Sequence, residues 1–133
     1  MFVDASAIVA MMTDENDARK LAARLEMSKT RLTSAVAVFE ATAGVARVLA
    51  LPVAQTLEEV AKFLELMEIE VVALPPEVGP IAIDAFARFG KGRRHAAQLN
   101  MGDCFAYACA RHYGQQLLFK GSDFSKTDIE PHS

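Results

Sequence analysis

The chain begins with the stretch Met1-Phe2-Val3-Asp4-Ala5-Ser6, which decides how its fold is interpreted. A short apolar run meets the carboxylate of Asp4, and the hydroxyl of Ser6 follows two residues later. This pattern predicts an interior strand that delivers an acid to the carboxyl edge of a sheet, where open α/β folds bind their ligands. Asp4 could instead simply cap the following helix, so the question is whether later elements bring further carboxylates to it.

Strand-like and helix-like patterns alternate along the rest of the chain. Further short strand candidates lie at 31–33, 69–74 and 116–119. Segments with helical spacing or helix caps separate them: 7–12, 14–27, 35–49, 56–67, 77–89, a short piece after Arg94, and 103–113. Because parallel strands need crossover connections, this rhythm predicts an α/β fold, with a mostly parallel twisted sheet of four to five strands and helices on both faces.

Length and composition indicate one folded domain, residues 1–133. The chain is 52% hydrophobic and has a formal net charge of −3, from 14 basic and 17 acidic side chains. This charge argues against a protein that grips nucleic acid by bulk charge, so any such contact should be local. No apolar stretch approaches the ~20 residues of a membrane span, and no basic segment precedes the first apolar run. We therefore expect a cytoplasmic protein in which Cys104 and Cys109 are reduced.

Glu40 is the acid whose surroundings are least typical of a solvated charge. Its helical neighbours at i−4, i−3, i+3 and i+4 are all apolar or small: Val36, Ala37, Ala43 and Gly44. A carboxylate on such a helix face is costly to desolvate unless a cation or hydrogen bonds compensate, which makes it a site candidate. The alternative is an ion pair with Arg47, seven residues further on and near the same face.

Asp103, Asp123 and Asp128 are the other candidate acids. Asp103 follows Gly102 at the start of a helix that is apolar on most sides. An acid there either complements the helix dipole or is held against the edge of the sheet. Asp123 comes shortly after the last predicted strand, where an ordinary turn residue is the alternative. Asp128 is near enough in the chain to compete with Asp123 for the same role.

The positions of these acids in the predicted topology favour one joint site. Asp4, Asp103 and Asp123 each lie just after a strand or at the start of a helix. Glu40 comes about one and a half turns after a helix cap at Ser34. All four can therefore reach one edge of the sheet. Four carboxylates without a cation repel one another, whereas Mg²⁺ or Mn²⁺ prefers such oxygen ligands, so the pattern predicts a divalent metal site.

Four motifs follow one another in order along essentially the whole chain. They are Phe2-Val3-Asp4-Ala5-Ser6, Thr33-Ser34 with Glu40, Leu99-Asn100-Met101-Gly102-Asp103-Cys104-Phe105-Ala106-Tyr107-Ala108, and Leu118-Phe119-Lys120-Gly121-Ser122-Asp123-Phe124. This ordered set resembles the PIN-domain ribonucleases, specifically the VapC-type toxins of type II toxin–antitoxin systems. Similar proteins often carry another Asp or Asn where Ser122 stands, so the chain departs slightly from the pattern beside its fourth acid.

The resemblance implies a PIN-like three-layer fold and assigns a role to each matched residue. Asp4 and Asp103 are the primary metal ligands, Glu40 and Asp123 complete the site directly or through water, and Ser6 is an auxiliary hydroxyl. The implied activity is Mg²⁺-dependent endoribonuclease cleavage of a structured RNA, such as a tRNA or rRNA. The implied partners are a small VapB-like antitoxin and a second copy of the chain. The apolar segments 7–12 and 18–25 are a reasonable docking surface for the antitoxin.

A basic turn and three histidines complete the set of candidate residues. Lys91, Arg93 and Arg94 could contact RNA phosphates flanking the cut, and the alternative is a solvated basic loop. The histidines show no metal-ligand spacing with one another or with the cysteines, so a zinc site is not expected: His95, His112 and His132.

Two other functions compete with a nuclease. A receiver-type phosphoacceptor domain also has an Asp after its first strand and a Lys after its last, where Lys120 stands. The run 69–74, however, leads into Pro75-Pro76 rather than an aspartate, so the expected phosphoacceptor is missing. The second alternative is a non-catalytic PIN-like binding module, against which the presence of all four acids counts.

Overall fold

A computed structural model describes residues 1–129 of the chain, and His132 lies outside the described residues. Its centre is a parallel sheet in the order β3-β2-β1-β4. The strands of the described part are β1 (Phe2–Val3), β2 (Leu32–Ser34), β3 (Glu70–Val72) and β4 (Leu117–Leu118). Phe2 is paired with Leu32 on one side and with Leu117 on the other, and every strand pairing is parallel. The predicted α/β class and parallel sheet are confirmed.

Helices connect the strands and cover the sheet. In chain order they are α1 (Ala5–Met12), α2 (Ala18–Glu26), α3 (Ala35–Leu49), α4 (Val53–Leu66), α5 (Val78–Phe89) and α6 (Met101–His112). Within residues 1–129 no single helix is long and apolar enough to span a membrane. The helices α3 and α4 meet the length and composition criteria only as a pair, and they are bent by 117° at their junction.

Several predicted helix boundaries were wrong. The predicted helix 14–27 begins only at Ala18, because the chain turns at Asp14, where φ is 53°. The helix predicted from residue 56 begins at Val53, directly after Pro52, which fits the tolerance of helix N-termini for proline. The short helical piece expected after Arg94 does not form. Its backbone is a loop with positive φ at Arg94 and Gln98.

The two faces of the sheet pack against different helices. Phe2 and Leu117 belong to a core that includes residues of α5 and α6. Val3 and Leu118 belong to a second core, with residues of α1, α2, α3 and α4. Successive strand residues point to opposite faces, so each short central strand serves both cores. The expected three-layer arrangement, with helices on both faces, is therefore confirmed.

This packing corrects the expected docking surface on α1 and α2. Ala7, Ile8 and Ala10 are buried in α1, and Leu21 and Leu25 are buried in α2. The apolar faces that suggested a docking surface are therefore used in the core. Exposed large apolar side chains lie elsewhere, mainly on α3, α4 and α5 and at the start of α6: Phe39, Val48, Leu49, Val53, Leu57, Leu66, Ile83, Phe86 and Met101.

Candidate functional site

Asp4 lies at the end of the central strand and begins helix α1. The residue is only 3% exposed. The carboxylate atom Oδ2 accepts hydrogen bonds from the backbone N–H of Ser6 at 3.0 Å and from Ser6 Oγ at 2.5 Å. Burial raises the pKa of Asp4, and the bonds from Ser6 oppose that rise. Asp4 therefore caps α1 and also lines a groove, so the capping role does not exclude a role in a site.

Glu40 projects from α3 toward the start of α6. Its pKa is raised to about 7, first by burial and then by the negative charges of Asp4 and Asp103. The carboxylate lies against the backbone of Gly102, where an added Cβ would collide with it. Arg47 is exposed and makes no ion pair with Glu40. The ion pair considered as an alternative explanation for Glu40 is therefore absent.

Asp103 is fixed by the N-terminus of α6. Its backbone N–H donates to Asn100 Oδ1 at 2.8 Å, while its own Oδ2 accepts from the backbone N–H of Asn100 at 3.0 Å, which completes a capping box. The pKa of Asp103 is raised to about 6, first by burial and then by the charges of Asp4 and Asp123, against the lowering effect of the Asn100 bond. Asp103 thus caps its helix and also faces the other acids.

Asp123 and Asp128 have different environments. Asp123 is exposed, precedes a 3₁₀ turn at Phe124–Lys126, and lies near enough to Asp103 for its charge to raise the pKa of Asp103. Asp128 instead accepts a hydrogen bond from the hydroxyl of Tyr107 at 2.5 Å. Arg88 and Arg111 also contact the Asp128 side chain, at 2.7 and 3.2 Å.

These contacts distinguish the environments of the two aspartates. Burial raises the pKa of Asp128, but the bonds from Tyr107 and Arg88 and the nearby Arg111 outweigh it and hold the pKa at about 2. Asp128 is therefore occupied in tying the end of the described chain to α5 and α6. Of the two, Asp123 is the acid that is electrostatically coupled to Asp103.

Ser6 connects Asp4 to the segment that follows the last strand. The backbone N–H of Lys120 donates to Ser6 Oγ at 3.0 Å, and the same hydroxyl donates to Asp4. The ammonium of Lys120 pairs with Glu15 and with Asp17, the latter at 3.6 Å. The segment after β4 is thereby joined to the start of α1 and to the connection between α1 and α2, and the hydroxyl of Ser6 holds Asp4 in one orientation.

Sequence reasoning missed three residues at this site. Asn100 pairs with Asp103 across three residues in a capping pattern, but the sequence motif that contains it indicated no role for it. Lys120 was compared only with the lysine that follows the last strand of receiver-type domains, and its contact with Ser6 was not predicted. Gly102 carried no local signal, because its role depends on Glu40, which is distant in the chain.

These elements enclose a groove of about 920 Å³, called the acidic groove below. It is lined by Asp4, Ser6, Glu40, Asp103, Glu15 and Lys120, among others. Within residues 1–129 no three Asp, Glu, His or Cys side chains are close enough, as they stand, to hold one ion. The hydrogen bonds from Ser6 to Asp4 and from Asn100 to Asp103 both use the Oδ2 atom of the carboxylate.

The donor set nevertheless fits a divalent cation. Asp4, Glu40 and Asp103 offer only carboxylate oxygens, the ligands that Mg²⁺ and Mn²⁺ prefer. These three acids crowd into one groove, and the negative charges of neighbouring acids add to burial in raising the pKa values of Glu40 and Asp103. A cation relieves such crowding, because an opposite charge favours the ionised form of each carboxyl group.

The basic turn lies outside the acidic groove. Lys91, Arg93 and Arg94 are all exposed, and the guanidinium of Arg93 lies 4.9 Å from the centre of the Phe86 ring. Lys91 lines a separate apolar pocket of about 470 Å³ between α5 and α6. Asn100 lines both this pocket and the acidic groove, so the two cavities are neighbours.

Comparison with known proteins connects this site to a family. The model of the PIN domain family matches residues 1–130. A VapC ribonuclease of Rhizobium meliloti is 37% identical, over 96% of this chain and 98% of its own length. Ribonuclease VapC30 of Mycobacterium tuberculosis is 39% identical, over 97% of this chain and 95% of its own.

A solved structure supports the same fold. The crystal structure of Mycobacterium tuberculosis VapC20, described as a sarcin-ricin loop cleaving toxin, matches with a TM-score of 0.72. The match covers 97% of this chain and 95% of VapC20, at 20% sequence identity. At that identity the likeness concerns the fold.

Proposed function

Since the chain belongs to the PIN domain family, among the VapC-type ribonuclease toxins, we propose that it is a Mg²⁺-dependent endoribonuclease that hydrolyses a structured RNA. The observation that carries this proposal is that Asp4, Glu40 and Asp103 line one groove beside the end of the central strand. Mn²⁺ can replace Mg²⁺ in such an oxygen-rich site. The same proposal includes a single domain over residues 1–133 and a cytoplasmic location.

In this proposal each acid of the site has a defined task. Asp4 and Asp103 are the primary ligands, and Glu40 and Asp123 complete the site directly or through water. When bound, a divalent ion supplies a Lewis acid that lowers the pKa of a water molecule and neutralises charge on the phosphodiester. Ser6 keeps Asp4 oriented, and the capping box of α6 keeps Asp103 at the groove.

The proposed substrate is a structured RNA, such as a tRNA or rRNA. VapC20, which shares the fold, is described as cleaving the sarcin-ricin loop. We assign Lys91, Arg93 and Arg94 to RNA phosphates flanking the cut, because short basic clusters supply sequence-independent grip. All three side chains are exposed and therefore accessible to a phosphate, which supports this assignment.

The proposed partners are a small VapB-like antitoxin and a second copy of the chain. Ile83 and Met101 are 69% and 70% exposed, and both line the apolar pocket between α5 and α6. Such an exposed apolar patch is typical of a protein interface. It supports a homodimer that forms through α5 and the start of α6.

The test is cleavage of RNA by the purified protein with Mg²⁺ or Mn²⁺, and with EDTA as the metal-free condition. Asp4→Asn and Asp103→Asn should abolish cleavage while the circular dichroism spectrum stays native. Glu65→Gln, an exposed acid on α4 outside the groove, is the matched control and should cleave normally. Sequencing the 5′ ends of fragments from induced cells identifies the RNA and the bond that is cut.

Full activity in a folded Asp103→Asn variant would contradict the assigned site. Tight RNA binding without cleavage under any metal would favour the non-catalytic binding module. The receiver alternative is disfavoured, because the segment after β3 carries no acid before Pro75-Pro76.

A further inference from the structure

Two cations line the acidic groove, and they differ in their surroundings. Lys120 pairs with Glu15 and Asp17, so its charge is already compensated. Arg47 lines the same groove, is exposed, and makes no ion pair within the part of the chain that the structure describes. A guanidinium that faces a functional groove without a carboxylate partner is available to an anionic ligand.

Arg47 belongs to an exposed stripe along α3. Phe39, Ala43 and Arg47 are spaced four residues apart, so they lie on one side of the helix over about 12 Å. All three line the groove and are exposed, and Phe39 is 75% exposed. The stripe therefore offers an aromatic face, a short side chain and a planar cation in one row.

The position of the stripe relates it to the acids. Glu40 follows Phe39 directly in the chain, and its carboxylate lies against Gly102, next to Asp103, in the groove that Asp4 also lines. Ala43 and Gly44, midway along the stripe, have little or no side chain, so a ligand can approach the helix closely there. A ligand lying along the stripe therefore extends away from the acids along α3.

We propose that Phe39 and Arg47 form a subsite for single-stranded RNA beside the scissile bond, with a base stacked on Phe39 and a phosphate held by Arg47. This inference rests on the proposed ribonuclease function. Stacking on aromatic side chains and phosphate contacts from arginine are the two interactions that bind single strands without sequence preference. An acidic peptide is the competing occupant, because its carboxylates would also pair with Arg47. Such a peptide, however, does not need the flat, exposed aromatic face of Phe39.

The effect of each residue on RNA binding is measurable separately. The probe is a short fluorescein-labelled single-stranded RNA, and its binding is measured by fluorescence anisotropy. All proteins in this assay carry Asp103→Asn, so that the RNA is bound but not cut. Arg47→Ala should weaken binding about tenfold and lower the salt dependence of log K by about 0.7. Phe39→Ala should weaken binding about fivefold or more, without changing the salt dependence.

Conservative variants and matched controls distinguish contact from structural damage. Arg47→Lys should keep the salt dependence, and Phe39→Tyr should keep most of the affinity. Arg19→Ala on α2 and Leu66→Ala on α4 remove exposed side chains outside the groove and should bind RNA normally. With Asp103 intact, Arg47→Ala should raise KM for RNA cleavage by a similar factor and leave kcat unchanged, as expected for a binding residue.

Each outcome separates the subsite from the nuclease activity. If the protein cleaves RNA and both alanine variants bind and cleave like the wild type, the subsite is wrong and the activity stands. The exposed stripe would then be a surface for a protein. If the protein binds RNA through Phe39 and Arg47 but never cleaves it, the subsite stands and the proposed function fails.

Discussion

Replacing Gly102 with alanine should abolish most of the activity without destabilising the protein. Gly102 is in the first turn of α6, and an added Cβ would collide with the carboxylate of Glu40. The colliding atoms are the far end of a flexible side chain, so Glu40 can rotate away while the backbone stays in place. The alanine should therefore displace an acid from the groove without disturbing the helix.

The magnitudes follow from these two effects. Alanine stabilises a helix by up to about 1 kcal/mol relative to glycine at a compatible position, which offsets the cost of moving Glu40. The melting temperature should stay level or rise by roughly 2–4 °C. Loss of a carboxylate that supports a metal site typically costs about 10- to 100-fold in activity or metal affinity, and we expect that loss here.

The assay compares RNA cleavage rates with thermal melting for Gly102→Ala and a matched variant, Gly79→Ala. Gly79 lies in the first turn of α5, and an added Cβ there meets nothing within 4 Å. The control should gain similar helix stability and keep full activity. In a Glu40→Ala background, Gly102→Ala should cause no further loss, because its target is already gone.

Two results would refute this reasoning. Full activity of Gly102→Ala would show that the position of Glu40 does not matter for cleavage. An equally large loss in the Glu40→Ala background would show that Gly102 acts through something other than Glu40.

Three further predictions concern the same region. Ser6→Ala removes the hydrogen bond from the Ser6 hydroxyl to Asp4 and should lower the free energy of unfolding by about 1 kcal/mol, as measured by thermal melting. The rate of RNA cleavage should fall about tenfold or more, and a wild-type rate would exclude an orienting role for Ser6. Asp128→Ala should also lower the free energy of unfolding by about 1 kcal/mol but should cleave RNA normally. A large drop in activity of a correctly folded Asp128→Ala variant would place Asp128 in the site. The pKa values of Glu40 and Asp103 are raised to about 7 and about 6, so these groups bind more protons in the folded than in the unfolded protein. In EDTA the melting temperature should therefore fall as the pH rises from about 4 to 7, and Mn²⁺ should restore it at pH 7. A melting temperature that rises over this range would contradict the crowding of the acids.

The order of strands and helices was readable from the sequence because it depends on local patterns. The helix at Ala35–Leu49 was predicted with its observed bounds, since Ser34 caps its start and Pro52 lies just beyond its end. The start of α2 and the loop after Arg94 were not predicted. There the backbone follows hydrogen bonds to particular partners, such as Ala97 N–H to His95 Nδ1, that periodicity does not encode.

The candidate acids of the site could also be identified from the sequence, but the sequence offered a structural explanation for each of them as well. Asp4 and Asp103 are both caps and members of the groove, so the local reading was correct and incomplete. For Glu40, the ion pair with Arg47 was an equally local alternative, and the structure excludes it. Which residues bind a metal, and whether Asp123 is one of them, stays a prediction.

The sequence by itself determined the α/β class, the alternation of strands and helices, and the set of acids from which a site could be built. Only the tertiary structure decided that Glu40 lies over Gly102, that Lys120 holds Ser6 beside Asp4, and that Asp128 is bound elsewhere. The physical reason is that capping and helical periodicity act within a few residues. The crowding of carboxylates depends on distances across the sheet, between segments separated by dozens of residues in the chain.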